Sequence, residues 1–139
     1  MKRKLSFRAW DEKRKTMFEV QTGYLPKGVT RKRDFFIGFN STGLEVSEYE
    51  GKGAWRIFPV MQSTGYFDCN DNEIFEGDIL SVYFDAEPPY DGHANGAVYW
   101  NEEQMSWWIR FDKHHTEPLC DFGQGYLTQV GNIHQLFVQ

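Results

Sequence analysis

The densest group of metal-ligand residue types in the sequence lies near the middle of the chain. Asp68, Asn70 and Asn72 place carboxylate and amide oxygens at the first, third and fifth positions of a calcium-binding loop pattern. The sixth position of such a loop needs a glycine for its sharp turn, and the twelfth needs a glutamate that binds the ion through both oxygens. This chain has Glu73 and Ile79 at those positions. The segment therefore favours an Asn/Asp turn over a calcium site.

The histidines and cysteines provide the other candidate chemistry. Neutral imidazole and thiolate are preferred zinc ligands, but their spacing here matches no established zinc pattern, and adjacent residues of a strand point to opposite sides. The histidine pair at 114 and 115 lies near Asp112 and Glu117 and could act as acid or base. A nucleophile elbow, a phosphate-binding glycine loop and a paired-carboxylate motif are absent from the sequence. We therefore predict a non-enzymatic protein with no catalytic residues, no cofactor and no metal site. The residues considered as zinc ligands are His93, His114, His115, His134 and Cys120.

Charge is divided unevenly along the chain. Residues 1–33 contain eleven Lys or Arg and three acidic residues, a net charge of +8, whereas the remaining residues carry −13. A basic segment can hold phosphates electrostatically, so Arg31, Lys32 and Arg33 are candidate nucleic-acid-binding residues. The overall charge of −5 opposes nonspecific binding to nucleic acid. It leaves open the alternative that the two parts of the chain neutralise each other, within a subunit or between subunits.

Composition and periodicity predict a chain made mainly of strands. Aromatic residues make up 17% of the sequence, and aromatic and β-branched residue types fit half-buried pleated surfaces. Apolar and polar residues alternate in short segments separated by Gly, Pro, Asn and Asp turns, without a long run of helical periodicity. This pattern favours a small barrel or sandwich. The predicted strands cover residues 4–10, 16–20, 34–39, 44–49, 55–61, 78–84, 97–100, 105–111 and 127–133, followed by an apolar tail at 136–138.

Three features of these segments carry more specific expectations. Pro59 has no backbone N–H to donate, so the strand at 55–61 is expected at a sheet edge or a bulge. Residues 85–96 are rich in Pro, Gly and Asn, which predicts a loop long enough to be functional. Trp107 and Trp108 are adjacent in a predicted strand, so their side chains should lie on opposite faces.

The sequence also carries expectations about the cellular compartment. The basic start is followed by no apolar run of signal-peptide length, and no segment reaches the length of a membrane span. Cys69 and Cys120 are too few for a disulfide framework and form no CxxC pair. These features favour a soluble cytoplasmic protein with free thiols and no membrane partner.

Four different short motifs follow one another along the chain in a characteristic order. They are Phe7, Arg8, Ala9, Trp10 and Asp11 with Met17 downstream; Met61, Gln62, Ser63, Thr64 and Gly65; Asn72, Glu73, Ile74, Phe75, Glu76, Gly77, Asp78, Ile79 and Leu80; and Gly131, Asn132 and Ile133. Together they resemble the YopX family of phage and prophage proteins, in order and in rough spacing. The resemblance implies an all-β fold with an SH3-like small barrel, additional hairpins and little or no helix. It also implies that the protein is encoded by a bacteriophage or prophage and acts in the bacterial host cell, with no established activity and no catalytic residues. The chain is expected to form one domain over residues 1–139, with a variable insert around 25–55.

Two functional hypotheses from different classes remain open. The first is a non-enzymatic protein-interaction module that uses the barrel face and the loop at 85–96 to bind a partner protein or a second copy of the chain. The second is a nucleic-acid-binding accessory protein in which Arg31, Lys32 and Arg33 contact phosphates and exposed Trp or Tyr side chains stack on bases. Core packing of the aromatic residues is the alternative to both surface roles.

Overall fold

The computed structural model describes residues 6–21, 24–29, 31–41 and 43–135, and this part of the chain is built from strands. The all-β class predicted from the sequence is confirmed, since the described residues form strands and three 3-10 helices of three residues each. Among the described residues, no helix has the length and apolar character needed to cross a membrane. The strands are β1 Phe7–Asp11, β2 Thr16–Glu19, β3 Phe35–Asn40, β4 Gly43–Gly51, β5 Ala54–Ile57, β6 Val60–Phe67, β7 Glu73–Phe75, β8 Asp78–Phe84, β9 Gly92–Asn101, β10 Ser106–Asp112, β11 His115–Pro118 and β12 Leu127–Asn132. The 3-10 helices are Lys32–Asp34, Leu119–Asp121 and Gln124–Tyr126.

The chain divides into two compact units. We call Ser6–Gln62 the N-terminal unit and the described residues from Ser63 to Gln135 the C-terminal unit. β6 contributes to both, because its first residues pair with β1 and Ser63 pairs with β7. The SH3-like form of the barrel, the single domain and the variable insert at 25–55 remain predictions.

The N-terminal unit contains a hairpin and a three-stranded sheet. β1 and β2 pair antiparallel with Ala9 opposite Phe18, which confirms the hairpin predicted from the alternating sequence. Lys4 and Leu5, at the start of that predicted strand, lie outside the described residues. β3, β4 and β5 form an antiparallel sheet in this order. The buried core of the unit comprises Ala9, Phe18, Phe35, Val46 and Phe58.

The prediction of one strand over residues 55–61 is wrong, because the strand breaks at Pro59. β5 ends two residues before Pro59, and β6 begins directly after it. The N–H of Phe58 donates to the carbonyl of Val46 at 2.9 Å, and the carbonyl of Pro59 accepts from the N–H of Trp10 at 3.0 Å. Because proline has no N–H for a ladder, the chain leaves one sheet at this point and joins another.

The C-terminal unit is dominated by a five-stranded antiparallel sheet with the strand order β11-β10-β9-β8-β12. β8 has the bounds predicted from the sequence, and the hairpin of β9 and β10 is confirmed, with Trp107 opposite Trp100. β12 agrees with the predicted last strand to within one residue, whereas β7 and β11 were not predicted. The apolar tail at 136–138 lies outside the described residues. The buried core side chains are Ile74, Leu80, Val82, Val98, Trp107, Ile109, Leu119 and Leu127.

The loop predicted over residues 85–96 is too long, because β9 begins at Gly92 and pairs with β8. The core-facing residues at the start of β9 have little or no side chain. The rings of Phe84 and Phe111, from the two flanking strands, therefore meet above this part of β9, with centroids 5.3 Å apart. A Cβ added at Gly96 would lie 3.0 Å from a ring carbon of Phe111. Packing therefore selects small residues that the sequence pattern associates with a loop. The core-facing residues at the start of β9 are Gly92, Ala94 and Gly96.

The two adjacent tryptophans of β10 lie on opposite faces of the sheet, as predicted. Trp107 is 8% exposed and faces the core, where its ring meets Trp100 edge-on at 5.1 Å. Trp108 is half-buried on the other face. Each face of the sheet in the C-terminal unit therefore carries an aromatic layer.

Candidate protein-docking surfaces

Four apolar side chains share the face of the N-terminal three-stranded sheet that does not line the core. The cross-strand register places Phe36 and Ile57 on either side of Ser47. Tyr49 follows two residues later on β4 and pairs with Trp55. Side chains in directly opposed positions lie on the same face of a sheet. Their exposed fractions are 45% for Phe36, 36% for Tyr49, 48% for Trp55 and 65% for Ile57; we call these four residues the apolar face.

Local contacts order three of the four side chains of the apolar face. The rings of Tyr49 and Trp55 lie 5.3 Å apart, and the Tyr49 hydroxyl accepts a hydrogen bond from the N–H of Gly53 at 2.9 Å. The ring of Phe36 lies over Gly38, where an added Cβ would approach its Cε1 atom to 3.1 Å. Side chains that are already ordered lose less conformational freedom on binding. The surface is therefore preorganised.

These four residues were not predicted as a surface from the sequence. The available signal was the run Phe35-Phe36-Ile37 in β3, since consecutive apolar residues in a strand place apolar side chains on both faces. Phe35 and Ile37 belong to the core side, so Phe36 has to face outward. Trp55 and Ile57 alternate with Arg56, so local alternation alone would place them on the core side, whereas in the structure Arg56 faces that side and contacts Glu48.

The other face of this sheet carries a network of two carboxylates and two arginines, Asp11, Arg14, Glu48 and Arg56. The Arg14 guanidinium donates to Glu48 Oε2 and to Asp11 Oδ2, each at 2.8 Å. Arg56 donates to Glu48 Oε1 at 2.8 Å and to Asp11 Oδ1 at 3.1 Å. The side chains of Asp11 and Glu48 are 2% and 10% exposed. Each carboxylate is thus held by both arginines.

The network shifts the pKa values of Asp11, Arg14 and Glu48 in the direction that favours the charged forms. Hydrogen bonds from Arg14, and then from Arg56, outweigh burial and lower the pKa of Glu48. Burial opposes ionisation of Asp11, but the side-chain and backbone hydrogen bonds from Arg14 and the charge of Arg56 still lower its pKa. Hydrogen bonds to Glu48 and Asp11 raise the pKa of Arg14. Asp11, Glu48 and Arg14 are therefore charged at neutral pH.

The basic residues that precede position 34 divide into two groups. Arg14 belongs to the network, and Lys15 forms an ion pair with Glu12, so part of the basic charge is neutralised inside the N-terminal unit. Arg31 and Arg33 are exposed, next to the start of β3. The side chain of Lys32 lies outside the described part of the structure. The nucleic-acid role of these three residues stays a prediction.

The motif residues of the N-terminal unit lie on two paired strands. β1 contains the Phe7-Arg8-Ala9-Trp10 motif, in which Ala9 and Trp10 are buried. β6 begins with the second motif, and its Met61 pairs with Arg8. Gln62 stands opposite Phe7 in the same register. These residues build the sheet.

Buried carboxylates fix the motif residues of the C-terminal unit. Asp68 is fully buried, and its carboxylate accepts hydrogen bonds from the N–H groups of Asn70, Asn72 and Gln129, each at 2.9 Å. Burial disfavours its charged form, but these donors outweigh the effect and lower the pKa of Asp68. The carboxylate thereby ties the turn before β7 to β12. The segment is an Asn/Asp turn, as predicted.

The remaining motif residues also serve turns and strand contacts. Glu76 and Gly77 form the turn into β8, and Asp78 Oδ2 accepts from the N–H of Phe75 at 2.8 Å and from Gln129 Nε2 at 2.7 Å. Asn132 is buried, and its side-chain oxygen accepts from the backbone N–H groups of residues 134 and 135. Of the other motif residues, Thr64 and Gly131 are buried, Ile79 is half-buried, and Gly65 and Ile133 are exposed.

The sheet of the C-terminal unit carries aromatic side chains on the face that does not line its core. Tyr83 pairs with His93, and their rings lie 5.1 Å apart. The ring of Tyr126 stacks on Tyr83 at 5.9 Å with an angle of 20°. Farther along, the Arg110 guanidinium lies over the ring of Tyr99 at 4.5 Å. His93 is exposed and Tyr126 is 42% exposed; we call Tyr83, His93 and Tyr126 the aromatic face.

The histidines and cysteines are dispersed. His115 lies 3.3 Å from a Glu117 oxygen and packs against the ring of Phe111. Among the residues that the structure describes, no three His, Cys, Asp or Glu side chains lie close enough together to hold a metal ion. Cys69 and Cys120 are exposed free thiols.

Comparison with known proteins extends the motif resemblance to nearly the whole chain. The family model described as YopX protein matches residues 6–136. The crystal structure of protein EF1440 from Enterococcus faecalis is similar, with a TM-score of 0.51 and 27% sequence identity, over 94% of this chain and 93% of that chain. No curated protein matches the chain. The family resemblance drawn from the four motifs is confirmed.

Proposed function

The chain belongs to the YopX protein family, and we propose that it is a phage- or prophage-encoded cytoplasmic accessory protein that acts by binding another protein rather than by catalysis. The apolar face carries this proposal. Its four side chains adjoin one another on one sheet, and each is between 36% and 65% exposed. Contiguous exposed apolar side chains of this kind mark interaction surfaces.

The partner that suits this face has an apolar surface with carboxylates at its rim. Arg33 is exposed and lies three residues before Phe36 in the chain, with Arg31 two residues farther back. A rim charge steers the encounter with an oppositely charged partner, and the apolar centre supplies most of the affinity. Aromatic side chains such as Trp55 are common energetic anchors of protein interfaces.

The test uses a photo-crosslinking amino acid placed at Tyr49, with the full-length protein expressed in a bacterial host that carries the prophage. We expect one discrete crosslinked species. The double variant W55T/I57T should abolish it, and R31A/R33A should weaken it, whereas F39T should leave it unchanged. Phe39 is a matched control because it is 77% exposed on the same sheet but lies outside the apolar face.

Two outcomes would overturn the proposal. The first is the absence of any crosslinked species, or a species that persists in W55T/I57T. The second is a crosslinked product with the mass of two copies of the chain, which would assign the face to self-association instead of a separate partner. Unfolding curves of each variant distinguish loss of the interface from loss of the fold.

Nucleic-acid binding is the second candidate function, and the exposure of Arg31 and Arg33 supports it. Both side chains are free to reach phosphates from the surface. The ion pairs of Arg14 and Lys15 reduce the basic charge that remains for this role. The net charge of the chain opposes it as well.

A further inference from the structure

A second surface, separate from the apolar face, combines aromatic rings with negative charge. Tyr83 and His93 form the second-to-last pair of the β8–β9 hairpin, so the loop at 85–91 begins one residue pair beyond the aromatic face. Tyr90 in this loop is 80% exposed. The loop also contains three exposed carboxylates, Asp85, Glu87 and Asp91.

The C-terminal unit has a strong excess of negative charge. Residues 63–135 contain thirteen Asp or Glu and two basic residues, Arg110 and Lys113, a net charge of −11. Of the two, Arg110 lies on the same face of the sheet, opposite Ala97 and over the ring of Tyr99, and Ala97 is four positions along β9 from His93. Phosphate-bearing ligands, such as nucleic acids and anionic membranes, would be repelled by this unit. Cationic ligands would be attracted.

We propose that the aromatic face binds a lysine- or arginine-rich segment of a partner protein. Ammonium and guanidinium groups bind to carboxylates and also to the faces of aromatic rings. The loop carboxylates supply the first kind of contact, and the rings of Tyr126 and Tyr90 supply the second. The proposal goes beyond the proposed function, because it assigns a different surface and a partner of opposite charge.

The test measures the binding of a fluorescently labelled peptide of twelve residues, in which Lys and Arg alternate with Gly and Ser, by fluorescence anisotropy. The peptide with Glu at the charged positions is the control ligand. We expect the basic peptide to bind the full-length protein at low ionic strength and more weakly at 0.15 M salt. The acidic peptide should not bind.

Matched variants locate the site. D85N/E87Q removes two exposed carboxylates from the loop beside the aromatic face, and E102Q/E103Q removes two from the turn at the other end of β9. We expect the loop variant to weaken binding about three- to tenfold, and the turn variant to change it less than twofold. Y126A should weaken binding by a similar factor to the loop variant.

Three results would overturn the proposal. They are the absence of binding at low ionic strength, equal weakening by the two charge variants, and full binding by Y126A. W55T/I57T, which removes two of the four side chains of the apolar face, should leave peptide binding intact. The failure of this proposal and that of the proposed function are therefore distinguishable.

Discussion

Glu48 accepts hydrogen bonds from two arginine side chains, so a glutamine at this position removes the negative charge that both guanidinium groups contact and replaces one acceptor oxygen with an amide N–H₂. We expect Glu48→Gln to lower the free energy of unfolding at pH 7 by about 1.5–3 kcal/mol, the range for hydrogen bonds to charged groups. Urea denaturation measures this change. Glu50→Gln is the control, because Glu50 also pairs with Arg56 but is 40% exposed. Its cost should be below about 1 kcal/mol.

The same network predicts how stability depends on pH. The pKa values of Asp11 and Glu48 are lowered in the folded state, so their stabilisation is complete above the unfolded-state values of about 3.9 and 4.3. It is lost as the pH falls through the lower folded-state values. The difference in unfolding free energy between wild type and Glu48→Gln should therefore shrink below about pH 4. A constant difference down to pH 2 would contradict the assignment.

Asp68 has a comparable role at the start of the turn before β7. Its buried carboxylate accepts from three backbone N–H groups, whereas an asparagine would offer one oxygen and direct an amide N–H₂ toward those donors. We expect Asp68→Asn to destabilise the protein by about 1–3 kcal/mol. Asp71→Asn should cost less than about 0.5 kcal/mol, since Asp71 is exposed and an amide oxygen can still accept from Gln124. Thermal unfolding of both variants provides the comparison, and equal costs would contradict the prediction.

At the scale of the strands, local pattern predicted elements whose side chains alternate or whose turns have distinctive residues. β8 and the hairpin of β9 and β10 follow this pattern closely. The strand break at Pro59 required knowledge of two sheets, because its carbonyl pairs with Trp10 from a distant part of the chain. The start of β9 was missed because Gly92 and Gly96 indicate a loop locally, while packing against two phenylalanine rings requires them in the strand.

The surfaces were harder to predict than the strands. Exposed aromatic residues were expected, but the sequence does not show which ones face outward. The assignment of Phe36 depends on the pairing of β3 with β4, a contact that local periodicity does not specify. Arg14 could likewise not be paired with Glu48 from sequence, because thirty-four positions separate them.

The space above β9 leads to a prediction for Gly96. Its added Cβ would approach Ile109 closely and would lie 3.1 Å from the carbonyl oxygen of Arg110, which cannot move without disturbing the sheet. We expect Gly96→Ala to lower the free energy of unfolding by about 1–3 kcal/mol, the usual cost of overpacking. Gly125→Ala is the matched control, because no heavy atom lies within 4 Å of its added Cβ. A Gly96→Ala variant as stable as wild type would contradict the prediction, because the neighbouring strand would then have to move to accommodate the added methyl group.

At the scale of the whole molecule, charge distinguishes the two units. Residues 6–62, which form the N-terminal unit, carry a net charge of +3, and residues 63–135 carry −11. The apolar face has exposed arginines near it in the chain, and the aromatic face has exposed carboxylates beside it. If both proposed surfaces bind as described, their partners would carry opposite charge.

The charge distribution also predicts weak and salt-sensitive contact with DNA. If Arg31, Lys32 and Arg33 contact two or three phosphates, the affinity for DNA should fall about ten- to fortyfold between 50 and 200 mM salt. A mobility-shift assay should then show at most a weak complex at 50 mM and none at 200 mM. R31A/K32A/R33A should remove the weak complex, whereas K13A/K27A/K113A, which removes three exposed lysines elsewhere, should retain it. A complex that survives 200 mM salt and is lost in R31A/K32A/R33A would contradict this prediction and would favour the nucleic-acid function over protein binding. Such a complex would have to form despite the repulsion of the phosphates by the acidic C-terminal unit.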